Sequence, residues 1–220
     1  MPPSVALITG GEGTLATALA DYLIEAGWLV LAPGRRDLDV TDSAAVQTCF
    51  AGIPQLDLLI NNAGLTRDEL LLSQSEADRD TVLDVCLRGA FLCSREAARV
   101  MIPQRAGHII NIGSHSALTG PVGQTAYAAA KAGLTALTKS LAAELGPYDI
   151  RVNAVLPGWM ESKMTAPVPV AARQRALDAH VLGRLNTPAD TARFIAFLHT
   201  MSAVSGQVFS LDSRLSRAGL

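Results

Sequence analysis

Apolar residues gather in short runs at positions 5–9, 28–32, 56–60, 108–112, 150–156 and 206–212. Most runs are nearly continuous, as in V-A-L-I-T and I-R-V-N-A-V-L, and they end near Gly, Pro or Asn. That pattern predicts buried strands of a parallel sheet, covered on both faces. Longer segments between them have helical character. Positions 14–26 form one, closed by Gly27, and 41–50 form another, capped by Thr41 or Asp42. A long amphipathic segment spans 78–100, and an Ala-rich one spans 127–145. The last helix starts at Thr187-Pro188-Ala189-Asp190. Strands alternating with helices predict an α/β fold of three layers, doubly wound around a mainly parallel sheet.

Composition narrows this little. The chain has 220 residues, enough for one sizeable core, so a single domain over 1–220 is expected. A net charge of −2 argues against a nucleic-acid surface. No apolar run reaches the ~20 residues of a membrane span, and the first residues lack the charged start of a signal peptide. A cytoplasmic protein without nucleic-acid or membrane partners is expected. Cys49, Cys86 and Cys93 show no metal-ligand spacing, and no metal is expected.

The chemistry concentrates in a few places. Tyr127 and Lys131 are four residues apart and share one helix face. A cation one turn from a phenol favours the phenolate, which makes the pair a candidate proton donor and acceptor. Ser114 follows the apolar run 108–112, where a hydroxyl can hold a substrate oxygen. Earlier, Gly10-Gly11-Glu12-Gly13-Thr14-Leu15-Ala16 joins a strand to a helix as G-x-G-x-x-A. Glycines let the backbone approach a pyrophosphate, the helix start offers free N–H groups, and Ala16 permits close packing. Glu12 is expected to face solvent. Asn61-Asn62-Ala63-Gly64 ends one strand, and Pro157-Gly158 ends another.

Taken in order along nearly the whole chain, these motifs resemble the short-chain dehydrogenase/reductase family. The stretch 107–164 is most similar to its 3-oxoacyl-(acyl-carrier-protein) reductase type. The resemblance implies a Rossmann-type fold that transfers a hydride between a nicotinamide and a carbonyl or alcohol. Tyr127 would exchange the proton, Lys131 would bond the nicotinamide ribose, and Ser114 would hold the substrate oxygen. Gly10, Gly11, Gly13, Thr14 and Leu15 would hold the pyrophosphate. Asn62, Ala63 and Gly64 would run along the cofactor, with Asp39 and Val40 beside the adenine. Pro157, Gly158 and Ser162 would meet the nicotinamide. The glycine spacing departs from the family's T-G-x-x-x-G-x-G, because Thr14 and Ala16 stand at the later positions.

Three further departures shape the expectations. Pro33-Gly34-Arg35-Arg36 leads directly into Asp37-Leu38-Asp39-Val40, with too few residues for a parallel crossover. The family's second helix is therefore expected to be missing and its third strand absent or vestigial, leaving six main parallel strands. Arg35 and Arg36 stand where NAD-using relatives carry an acid, so NADP(H) is expected over NAD(H). Cys86 stands where relatives usually have Asn; a thiol is the weaker hydrogen-bonding group, which predicts an altered or slower proton relay. Residues 159–182 are the expected substrate lid. A small carbonyl or alcohol compound is the expected substrate, an acyl thioester among the candidates. A homotetramer or homodimer is implied by resemblance alone. The residues also leave open a nucleotide-sugar epimerase or dehydratase, suggested by the glycine spacing, and a non-catalytic dinucleotide sensor.

Overall fold

Successive side chains of a strand face opposite sides of its sheet, so a strand buried on both faces needs apolar residues throughout. That is how this sheet is built. The computed structural model describes residues 2–215. In chain order the elements are β1 (Val5–Ile8), α1 (Thr14–Glu25), β2 (Leu29–Leu31), α2 (Ser43–Ala51), β3 (Leu58–Asn61) and α3 (Glu76–Leu83). Then follow α4 (Gly89–Gln104), β4 (Gly107–Ile112), α5 (Ser116–Thr119), α6 (Thr125–Leu145), β5 (Ile150–Leu156), α7 (Val170–Asp178), α8 (Pro188–Thr200) and β6 (Val208–Ser210). The strands pair in parallel in the order β2-β1-β3-β4-β5-β6.

Two cores result. Ala6, Ile8, Leu58, Ile60 and Ile110 pack on α1 and α8 through Leu19, Leu23, Ile195 and Leu198. On the other face Val5, Leu7, Leu59 and Ile109 meet α2, α4 and α6 through Val46, Phe50, Met101 and Leu145. Each such buried Leu or Ile contributes about 1.5–3 kcal/mol. The crossovers from β1 to β2 and from β2 to β3 pass on opposite faces. A crevice therefore opens beyond the C-terminal ends of β1 and β3, the topological switch point.

The expected gap is present. Neither helix nor strand lies between Leu31 and Ser43. Leu38 and Val40 of this linker are instead buried against the core beneath it. Asp42 is the cap of α2, accepting hydrogen bonds from the N–H groups of Ala44 and Ala45 at 2.8 and 3.2 Å. Two elements differ from the sequence pattern. The helix expected over 78–100 begins at Glu76 and is interrupted by a π-turn at Asp84–Arg88 before continuing to Gln104. Pro103 lies inside its last turn. The π-turn inserts one residue, and amphipathic spacing alone does not reveal it. The last strand is only Val208–Ser210, because only Ala154, Val155 and Leu156 of β5 pair with it.

Candidate active site

The glycine turn is held by the neighbouring strand end. The Thr9 hydroxyl accepts from the N–H groups of Asn62 and Ala63, each at 3.0 Å. Asn62 Nδ2 donates to the Thr9 and Gly10 carbonyls at 3.0 and 3.3 Å. Gly10 has φ +67°, and a Cβ on Gly11 would stand 1.9 Å from the Ala32 carbonyl oxygen. Larger residues do not fit this turn. α1 starts with no capping side chain and no acid in its first turn. Its first N–H groups are thus available to an anion, and Gly10, Gly13, Thr14 and Leu15 line the cleft. A close-approach turn against an uncapped helix start fits a dinucleotide pyrophosphate. Gly11 shapes the turn from behind and does not line the cleft.

At the end of β2 the expected residues separate. Arg35 lines the cleft, 3.8 Å from Asp39. Arg36 is exposed and does not line it. The Asp39 carboxylate accepts from the Thr41 N–H and hydroxyl at 3.0 and 2.7 Å. Those bonds, more than Arg35, hold it below the usual carboxylate range. Val40 is buried, and a Cβ on Gly89 would meet it at 2.6 Å. Neither Asp39 nor Val40 lines the cleft. Glu12 is exposed, yet its side chain folds over Gly34, where an added Cβ would meet its carboxylate at 2.8 Å.

The three residues with candidate chemistry come together. Ser114 follows β4, and Tyr127 and Lys131 occupy the first turns of α6. All three line the same cleft, of about 470 Å³. The Lys131 ammonium is buried; it donates to the Ile112 carbonyl at 2.7 Å and lies 5.7 Å from the Tyr127 ring centroid. Ser114 Oγ accepts from the Ser116 N–H at 3.1 Å. Gly64 lies beside Lys131: a Cβ there would be 3.5 Å from Nζ and 3.6 Å from Cys86 Sγ. Cys86, at the π-turn, donates its thiol to the Leu65 carbonyl at 3.4 Å. Beneath them runs a buried polar chain. Asn61 Nδ2 donates to Asn111 Oδ1 at 2.8 Å and to Ser94 Oγ at 2.9 Å. Asn111 Nδ2 donates to Thr138 Oγ1 at 2.9 Å.

The far end of the cleft is shaped by the C-terminal segment. Gly158 has φ +81°, and a Cβ there would be 2.5 Å from that of Asp212. Burial alone would raise Asp212, but hydrogen bonds from the Arg214 side chain and N–H hold it below the usual carboxylate range. His180 Nε2 lies 3.8 Å away on the other side. Pro157, Gly158, Ser162, His115 and Arg214 all line the cleft. Burial, then Arg214, pushes His115 down. Ser162 is fixed through Thr165, whose hydroxyl accepts from the Ser162 N–H at 2.9 Å.

Several residues were missed by the sequence reading. Gln124 donates to Asp68 at 2.6 Å and accepts from Ser116 Oγ at 2.8 Å, and all three line the cleft. Its place three residues before Tyr127 was the one available signal. Arg214 and Lys163 also line the cleft, and no local spacing announces either.

A family model described as enoyl-(acyl carrier protein) reductase matches residues 16–214. A 3-oxoacyl-[acyl-carrier-protein] reductase of Thermotoga maritima is 38% identical, over 96% of this chain and 97% of its own. The corresponding reductase of Aquifex aeolicus is 39% identical, over 95% of this chain and 86% of its own. Nodulation protein G of a Rhizobium species is 34% identical, over 96% of each chain.

Proposed function

Because the chain belongs to the short-chain dehydrogenase/reductase family, oxidoreductases acting on CH–OH groups with a nicotinamide dinucleotide, we propose that it reduces a 3-oxoacyl thioester with NADPH. The reverse oxidation is the same reaction. The observation that carries this reading is that Ser114, Tyr127 and Lys131 line one cleft with the glycine turn. The bound dinucleotide supplies the hydride. The chain's own side chains do the rest. Tyr127 Oη gives a proton to the substrate oxygen as charge develops there, and Ser114 Oγ donates a hydrogen bond to the same oxygen. Lys131, anchored on the Ile112 carbonyl, holds a cation beside the phenol, and it would bond the ribose of a bound dinucleotide.

The thioester is supported by the named activities of the relatives and by Trp159, Met160, Met164 and Val168, which give the cleft an apolar wall. Residues 159–182 act as the lid of a single domain over 1–220. NADP(H) preference rests on Arg35, which lines the cleft, rather than on Arg36. Gly10, Gly13, Thr14 and Leu15 hold the pyrophosphate, Asn62, Ala63 and Gly64 the middle of the cofactor, and Pro157, Gly158 and Ser162 the nicotinamide. A homodimer or homotetramer, using α4 and α6 where Phe91 and Ala132 are exposed, belongs to the same reading. So does a cytoplasmic location. No described helix is long and apolar enough to cross a membrane.

Purified protein titrated with NADPH and NADH, followed by nicotinamide fluorescence, tests the cofactor. Turnover of a short 3-oxoacyl thioester, followed by nicotinamide absorbance, tests the substrate. Tighter NADPH binding and thioester turnover are expected. Tighter NADH binding would overturn the Arg35 argument and leave the reaction class standing.

A further inference from the structure

A dinucleotide's pyrophosphate brings two negative charges to the glycine turn. The α1 start meets them with N–H groups and partial positive charge only. The cleft holds few cations to help. Arg35 faces Asp39, and Arg214 is paired with Asp212. Lys131 is buried, and its ammonium is engaged by the Ile112 carbonyl.

Lys163 is different. It is exposed, sits in the lid, and is paired with no carboxylate among the described residues. Its side chain and backbone both reach back to the turn across most of the chain. Nζ donates to the Glu12 carbonyl, and its own N–H donates to Thr14 Oγ1, each at 3.4 Å. Both bonds are long and exposed, so each is weak in water and readily exchanged for a stronger acceptor. An ammonium bound only to a neutral carbonyl, next to an uncapped helix start, is placed for an anion. It forms a stronger, charge-assisted bond to a phosphate oxygen than to that carbonyl.

We propose that Lys163 is a pyrophosphate-contacting residue, through which the lid closes onto the bound dinucleotide. Resting on the cofactor reading above, it adds that cofactor affinity and lid order are coupled at one side chain. The ammonium exchanges the Glu12 carbonyl for a phosphate oxygen, and that bond holds the lid over the turn.

The test uses the full chain as wild type, Lys163→Ala and Lys163→Arg. Binding of 2′-phospho-ADP-ribose, which carries the pyrophosphate, is compared with binding of 2′-AMP, which lacks it. Digestion by trypsin at Arg173 and Arg175, inside the lid, is followed with and without the first ligand. Lys163→Ala is expected to weaken 2′-phospho-ADP-ribose about tenfold, the scale of one charged hydrogen bond, and to leave 2′-AMP unchanged. Lid protection should be lost in Lys163→Ala and kept in Lys163→Arg. Unchanged affinity and protection in Lys163→Ala would overturn the proposal while the cofactor reading stands. Equal weakening of both ligands would overturn it as well, since the effect would not be located at the pyrophosphate. Failure of the wild type to bind either ligand would overturn both the proposal and the cofactor reading.

Discussion

The two ends of β4 carry buried polar side chains to opposite effect. At its C-terminal end, Asn111 donates to Thr138 and accepts from Asn61, and the Ile112 carbonyl holds Lys131. The last bond holds a cleft-lining ammonium in place, and the others tie β3, β4 and α6 together beneath it. At its N-terminal end, His108 is fully buried against Asn153 at 3.0 Å and stacks on His199, ring centroids 5.6 Å apart. Trp28 meets the edge of His199 at 4.9 Å. Nδ1 of each histidine is buried with no partner among the described residues. One end spends its polar groups on positioning, and the other carries them as neutral rings that acid can charge. A buried polar group in a strand therefore has no fixed meaning; its partners decide whether it serves chemistry or limits stability.

The sharpest break of this contrast is Tyr127→Phe. Turnover of any accepted substrate should fall by about a thousandfold or more, with the NADPH Kd changed less than about twofold. Single-turnover rates and fluorescence titration check both halves, and retained turnover would remove the assigned proton donor. Next comes Asn111→Leu, which fills similar volume but strips Asn61 and Thr138 of a buried partner. A stability loss of about 2 kcal/mol is expected in urea unfolding, together with lower kcat. An unchanged midpoint would mean the buried amides add nothing to stability, and an unchanged kcat that they position nothing.

At the other end, acid is the probe. Burial, then Arg151, pushes His199 from 6.5 down to about 4, and burial pushes His108 well down too. A base with a depressed folded value binds protons more readily when unfolded. Stability is therefore full above about pH 6.5 and falls as pH drops toward about 4. His199 contributes at most about 3 kcal/mol to that loss. His199→Gln should flatten the profile between those limits, and an unaltered slope in urea unfolding at several pH values would place the sensitivity elsewhere. The smallest expected effect is Cys86→Asn. It restores a stronger hydrogen-bonding side chain at the π-turn beside Lys131 and should change kcat by no more than about threefold. A change of a hundredfold would show that the thiol limits the proton path.

Much of the frame could be read locally. Near-continuous apolar runs marked the strands, and the short interval after residue 32 marked the absent crossover. Asp42 and Thr187 marked helix starts, and Thr187 does accept from the Asp190 N–H at 3.0 Å. Ser114, Tyr127 and Lys131 were legible because strand end and helix turn fix their relation within eighteen residues. Asp39 and Val40 are implied by resemblance alone; in the structure Asp39 accepts from the Thr41 hydroxyl and Val40 packs into the core. The linker had no helix to fill the space above the sheet, so its apolar residues did.

By itself the amino-acid order determined the periodicities, the caps, the crossover that could not form and the pairing of Tyr127 with Lys131. All of these depend on bonds or spacings between near neighbours. Tertiary structure alone decided that Asp212 lies beneath Gly158, that Gln124 meets Asp68, and that Lys163 reaches the glycine turn. Those contacts join residues 54, 56 and 151 positions apart, by the difference of their numbers. They exist only because the parallel strands bring all their C-terminal ends to one edge, where loops distant in sequence must share the space.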